Sequence, residues 1–143
     1  RFPQADALNG DAYALPFLDK SVDCILSIYN LEHLRELPKA LSEMRRVLKP
    51  DGDLLVGLPA EGGLLYEIGR RLTSKRYMEK KYGIDYDAIV QWEHWNTYAE
   101  VFNMLHEKFK IKKSQFLPLG FLPSVHFNVI VCLWAVPDED RKS

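Results

Sequence analysis

The sequence predicts a single α/β domain with a mainly parallel sheet closed by a terminal antiparallel hairpin, and three observations carry that reading. Strand and helix signals alternate through the first half, the pattern of parallel-sheet folds. The stretch Val22–Ile28 alternates Val22, Cys24, Leu26 and Ile28 with Asp23 and Ser27, but Ile25 makes it apolar on both faces, as suits a central strand covered on both sides. Near the end, two strand-like stretches meet across a turn-rich loop with no helix between them, the mark of a hairpin. A chain of 143 residues, 47% of them apolar, is long enough to build one core.

Each element has a local cause. Ala5 to Asn9 reads as a short strand ending at Gly10, and Val22–Ile28 as the next. Pro38 near a helix start, with Leu37, Leu41, Met44 and Leu48 at helical spacing and Pro50 beyond, defines a helix. Asp51-Gly52 supplies a turn, and Leu54–Leu58 is an apolar run closed by Pro59, as expected of a buried strand. Leu64, Ile68 and Leu72 fall four apart, so a helix is expected from about Gly63 to Lys80. Arg70, Arg71, Lys75, Arg76, Lys80 and Lys81 lie along it, with only Glu79 to offset them. Thr97 and Glu100 have capping-box spacing ahead of Tyr98, Val101, Phe102, Leu105 and Phe109, which predicts a further helix. A strand near Ile111–Leu117, a loop marked by Pro118, Gly120 and Pro123, and a long strand from Val125 to Val136 complete the chain. Residues 1–143 form one domain in this reading, with a helical, aromatic-rich insertion at about 60–96.

Composition excludes several classes of function. Nineteen Lys and Arg against twenty Asp and Glu leave a formal charge of −1, so nucleic acid held by bulk positive charge is not expected. The longest apolar run, Val129–Val136, is far short of the ~20 residues of a membrane helix. Two cysteines make no disulfide framework and no metal-ligand spacing, which favours a reducing, cytoplasmic setting. Both are expected to be buried free thiols. Glu32-His33 and Glu93-His94 lack a recognised metal-ligand spacing, and no metal is expected.

A longer signal lies in an ordered run: Gly10-Asp11-Ala12, Leu15-Pro16-Phe17, Asp19-Lys20-Ser21-Val22-Asp23, Leu31-Glu32-His33, and Arg46-Val47-Leu48-Lys49-Pro50-Asp51-Gly52. It resembles the type 11 group of class I S-adenosylmethionine-dependent methyltransferases, whose members read Gly-Asp-Ala, Leu-Pro-Phe, Ser-Phe-Asp, Leu-Glu-His and Arg-Val-Leu-Lys-Pro-Gly-Gly in the same order. Val22 and Asp51 depart from that pattern. The resemblance implies a Rossmann-like fold and S-adenosyl-L-methionine as cofactor. It places Asp11, Ala12 and Tyr13 at the adenine, a carboxylate acceptor facing the exocyclic amine, and Ser27, Ile28 and Tyr29 at the carboxyl end of a strand, on the methionine side. Leu15, Pro16 and Phe17 would pack against the adenine. The family's opening strand, its Gly-rich turn and the acidic residue on the ribose have no counterpart here. With Arg1 in first place, the expectation is the later two-thirds or so of a longer, N-terminally incomplete domain.

On the acceptor side the resemblance places Glu32, Glu61, Gly62 and Tyr66, with His33 as a base for an O or N nucleophile. Bland alternatives stand beside these roles. Asp11 can be a turn residue after Gly10, His33 a polar residue at the pocket mouth, and Pro59–Gly63 a plain helix entry. The aromatics Trp92, Trp95, Tyr77, Tyr82 and Tyr86 are expected to form a satellite core in preference to a ring-stacking site. The basic helix is a solvated face unless the acceptor is anionic. The partner expected is a small molecule, such as a glycan or phosphorylated sugar precursor, with a homodimer allowed. The rival is a degenerate methyltransferase-like interaction domain without cofactor binding. A nicotinamide dehydrogenase is disfavoured by the lack of a G-x-G-x-x-G turn.

Overall fold

A computed structural model describes residue 6 and residues 8–138 of the chain. The expected first strand, Ala5–Asn9, lies partly outside the described residues, and Leu8–Gly10 carry no regular structure. Strand β1 (Val22–Ile28) leads through a short 3-10 turn (Leu31–His33) into helix α1 (Leu37–Val47) and then strand β2 (Leu48–Pro59). Helix α2 (Leu64–Arg70) runs through a π-helical turn (Arg71–Lys75) into α3 (Arg76–Tyr82), followed by α4 (Tyr86–Glu93) and α5 (Tyr98–Lys108). Strands β3 (Phe109–Leu117) and β4 (Ile130–Pro137) close the chain, with a 3-10 turn at Val125–Phe127 before β4.

The α/β class holds, and the described strands form one four-stranded sheet in the order β1-β2-β4-β3. The sheet is mixed rather than mainly parallel. β1 and β2 are parallel, and the β2–β4 and β3–β4 pairs are antiparallel. β1 is an edge strand among these elements, not the central one its sequence promised, and Leu26 and Ile28 are exposed. Asp51-Gly52 makes no separate turn, because β2 already begins at Leu48 and a register shift between Val22 and Cys24 absorbs the irregularity. The last strand starts at Ile130 because Val125–Phe127 forms the 3-10 turn.

One face of the sheet carries the core. Leu54, Val56 and Leu58 of β2 register with Ala135, Leu133 and Val131 of β4, and all six are buried against Leu37, Leu41 and Met44 of α1 and Val101 and Leu105 of α5. The alternate residues Leu26, Ile28, Leu55 and Trp134 line a cavity of about 440 Å³ on the opposite face. Helix α1 also fixes the Leu15–Asp19 segment. Arg46 pairs with Glu43 and Asp19 and donates to the carbonyls of Leu15 and Phe17, while the Leu15 N–H donates to Glu43. The Arg of the Arg-Val-Leu-Lys-Pro run is thus a clamp on the Leu-Pro-Phe run.

Between β2 and α4, the helices from 64 to 82 match the expected helical stretch, with Thr73 bonded back to the Gly69 carbonyl in the π turn. Its charges are better matched than the sequence indicated. Arg70 pairs with Glu67 and Asp87, and Lys75 with Asp87 as well as Glu79, so the acids that neutralise this helix lie partly on α4. The expected satellite core does not form, since Trp92, Trp95, Tyr77 and Tyr82 are all substantially exposed. Trp95 instead lies under the Arg35 guanidinium, 4.2 Å from ring centroid to Cζ.

Candidate active site

Parallel strands offer their carboxyl ends to ligands, and here β1 and β2 end side by side, with Ile28 opposite Gly57. The chain leaves β1 through Tyr29, whose backbone is left-handed (φ 49°) and whose N–H donates to the Gly57 carbonyl at 2.9 Å. A non-glycine residue in that region is a local strain of the kind that accompanies functional turns. The next turn buries Leu31 and Glu32. β2 ends at Pro59 and continues through Ala60, Glu61 and the left-handed Gly62 (φ 80°) into α2. Gly63 is required for space: a Cβ there would stand 2.0 Å from the Val125 carbonyl oxygen.

The link after α4 is strapped across this corner. The N–H groups of Trp95 and Asn96 donate to the Glu32 carbonyl, and the buried Asn96 amide donates to the carbonyls of Leu31 and Leu34 at 3.2 and 2.6 Å. That strap carries His94 to the site. Glu61 Oε1 bonds His94 Nδ1, with the two side chains 12% and 18% exposed, and the Tyr66 hydroxyl lies 3.4 Å from the same Glu61 oxygen. The His33 ring stands edge-on to His94 at 4.6 Å, and His33 Nδ1 donates to the Glu93 carbonyl at 3.0 Å.

Electrostatics mark two atoms in this corner. Burial raises the Glu32 carboxyl above its ordinary range, aided by the nearby Glu61, and Glu32 Oε2 is buried with no hydrogen-bond partner among the described residues. Ser27 Oγ, on the core side of β1, is also buried and unpartnered. Unsatisfied buried polar atoms are uncommon in folded proteins, and two within one strand end call for a ligand or a functional cause. Burial also raises the Tyr66 hydroxyl, with Glu61 adding to it. The acid, the two imidazoles and the phenol can accept, donate and shuttle protons; among the described residues no His, Cys, Asp and Glu group can hold a metal.

The structure thus brings Glu32, His33, Glu61 and Tyr66 into one corner, beside Ser27, Ile28 and Tyr29. Gly62 is exposed at the rim. Asp11, Ala12 and Tyr13 lie on a separate turn closed by an Asp11–Ala14 bridge, where Asp11 Oδ1 accepts from the Tyr13 N–H at 2.9 Å. That turn reaches α1 through the Tyr13 hydroxyl, which accepts from the Glu36 N–H, and the Ala12 N–H has no partner among the described residues. Ile28 and Tyr29 also line the cavity on the open sheet face. The sequence considers His94 only as a metal ligand beside Glu93, because nothing in it links His94 to Glu61, 33 residues away.

Comparison with known proteins agrees with this architecture. Residues 1–56 match the family described as a methyltransferase domain. The chain is 48% identical over 56 residues to the demethylmenaquinone methyltransferase of Renibacterium salmoninarum, a match covering 39% of the chain and 24% of that protein. It is 31% identical over 132 residues to the 2-phytyl-1,4-naphtoquinone methyltransferase of Synechocystis, covering 90% of the chain and 52% of that protein. The structure superposes on that of a SAM dependent methyltransferase from Aquifex aeolicus with a TM-score of 0.58 at 18% identity, covering 93% of the chain and 55% of that one. The chain therefore has the class I S-adenosylmethionine-dependent methyltransferase fold, and its first 56 residues carry that domain's sequence. It spans about half or less of the length of the relatives it matches. The cofactor these comparisons support is S-adenosylmethionine; among the described residues the Ala12 N–H and the Ser27 Oγ lack a partner and are free to bond a polar ligand.

Proposed function

We propose that the protein transfers the methyl group of S-adenosylmethionine to a hydroxylated small molecule, and that the acceptor is the reduced form of a quinone. When bound, the cofactor supplies a methyl carbon already activated by its sulfonium leaving group. The observation that carries the reading is the convergence, where β1 and β2 end, of unpartnered buried Ser27 and Glu32 with the Glu61–His94 pair. In this reading Asp11, Ala12 and Tyr13 hold the adenine, and Ser27, Ile28 and Tyr29 the methionine side. Glu32, Glu61, Gly62 and Tyr66 border the acceptor. Two named relatives act on naphthoquinone-type molecules, one of them matched over 132 residues. They give no support to a glycan or phosphorylated sugar. A quinol also suits the chemistry, because the reduced ring is a nucleophile and its hydroxyl has a proton to lose.

Titration of S-adenosylhomocysteine, with Asp11 varied, tests the cofactor assignment. Asp11→Ala should weaken binding roughly ten- to a hundredfold, the worth of a charge-assisted hydrogen bond of ~1.5–3 kcal/mol, with the melting midpoint unchanged. Asp11→Asn should fall between Ala and the parent. Unchanged affinity in both variants returns Asp11 to a turn residue. Absence of binding both by this chain and by one extended at its N-terminus favours the non-enzymatic interaction domain.

A further inference from the structure

The sequence points to His33 as the base, but the geometry points to its neighbour. We infer that His94, oriented by Glu61, is the general base that takes the acceptor's hydroxyl proton, an assignment that rests on the methyl-transfer reading above.

Hydrogen bonding fixes which ring nitrogen carries the proton. A backbone carbonyl can only accept, so His33 Nδ1 must donate to Glu93. An ionised carboxylate can only accept, so the His94 proton also sits on Nδ1, facing Glu61. Both rings thereby leave Nε2 with a lone pair, since the bond made by one ring nitrogen sets the tautomer of the other. The difference lies in the partner. His33 is an exposed ring held by a neutral carbonyl, whereas His94 is largely enclosed and held by a carboxylate that stabilises the imidazolium once the proton arrives. Its Nε2 has no hydrogen-bond partner among the described residues. The groups facing the ring are Glu61 from the loop after β2, Tyr66 from α2 through Glu61, and His33 and Glu32 from the turn after β1. Three separate segments thus hold one imidazole beside the strand ends.

The step balances. The acceptor O–H bond breaks and its proton passes to His94 Nε2, leaving the electron pair on the acceptor. That pair forms the bond to the methyl carbon, at oxygen or, through the ring, at the adjacent carbon, while the carbon–sulfur bond breaks and its pair remains on sulfur. For attack through carbon, the displaced ring proton returns to the oxygen and restores the aromatic ring. The products are methylated acceptor, uncharged thioether and an imidazolium, which releases one proton to water.

Two measurements test the assignment. With reduced 2-phytyl-1,4-naphthoquinone as probe acceptor, His94→Gln should lower kcat about 100- to 1000-fold, within the span of general-base effects, and abolish the acid limb of the kcat profile. S-adenosylhomocysteine affinity should stay that of the parent. Glu61→Gln should fall between the two, and His33→Asn should cost much less than His94→Gln. An undiminished kcat in His94→Gln, or an equal loss in His33→Asn, overturns the inference. The second readout needs no turnover: nitrogen–proton correlation spectra of the imidazoles should show His94 protonated at Nδ1 in the parent and altered in Glu61→Gln. A His94 protonated at Nε2 in the parent, or unmoved by Glu61→Gln, overturns it as well. Should the parent bind S-adenosylhomocysteine yet leave this quinol unmethylated, the quinol acceptor is wrong and the tautomer result decides for His94.

Discussion

Glu32 shows what burial does to a single carboxyl. The residue is 2% exposed, one carboxyl oxygen lacks a partner among the described residues, and burial holds its proton more tightly than in the unfolded chain. Because the folded form binds the proton more tightly, stability falls as pH rises from the ordinary carboxylate range through the raised folded value. Glu32→Gln removes that ionisation, so its thermal midpoint should match or fall below the parent in acid and exceed it at neutral pH. Equal midpoints across the whole range would show that Glu32 is not a buried charge. The Leu-Glu-His run names this residue through the family resemblance, but no sequence pattern shows that its carboxyl is buried with one oxygen unpartnered. The thiols show the reverse error: a strand position read as buried leaves Cys24 exposed and Cys132 partly so, though both are free as expected. Cys24 sits on an edge strand, and the sequence cannot say which strand is at the edge.

At the scale of elements, local signals were the most legible. The spacing Thr97–Glu100 predicts a capping box, and both halves exist: the Thr97 N–H and hydroxyl donate to Glu100 at 2.7 and 2.8 Å, and the Glu100 N–H donates to the Thr97 hydroxyl at 3.4 Å. Thr97→Ala should cost about 1 kcal/mol near neutrality by chemical denaturation. The bonds from Thr97 hold the Glu100 carboxyl below its ordinary range, so the box contributes fully above that range and fades as pH falls through the depressed value. The penalty of Thr97→Ala should shrink in acid, and a constant penalty would show that the carboxylate plays no part. Helix α1 was legible for the same reason, with Pro38 at its first turn and five apolar residues on its buried stripe. The segment from α2 to α4 was less so. Its basic residues read as a free positive face, but Asp87, far along the sequence, takes up Arg70 and Lys75. Ion pairs between helices leave no periodic trace.

For the whole molecule, the sheet has one packed face and one open face, and both edges are unpaired among the described residues. The β3 edge is guarded by Lys110, Lys112 and Lys113, whereas β1 shows Leu26 and Ile28, 65% and 54% exposed, beside Leu55 and Trp134. Edges and apolar faces of that kind invite association. The 143-residue chain should therefore self-associate as its concentration rises, and Leu26→Lys with Ile28→Lys should suppress this in sedimentation velocity while leaving the core intact. Identical sedimentation of parent and double variant would clear this face of any role. The fold class was readable from alternating elements, yet the mixture of pairings was not, because strand order is decided by long-range register. That order has a consequence in time. The last of the described strands, β4, sits inside the sheet between β2 and β3, so as the chain emerges from the ribosome β1, α1 and β2 can assemble early while the sheet stays open on the far side of β2. Closure waits for residues 130–137, and with it the docking of β3. Until residues 130–137 have been made, Leu54, Val56 and Leu58 of β2 lack the partners Ala135, Leu133 and Val131 that share the core with them, so the apolar face of a chain in synthesis stays half covered.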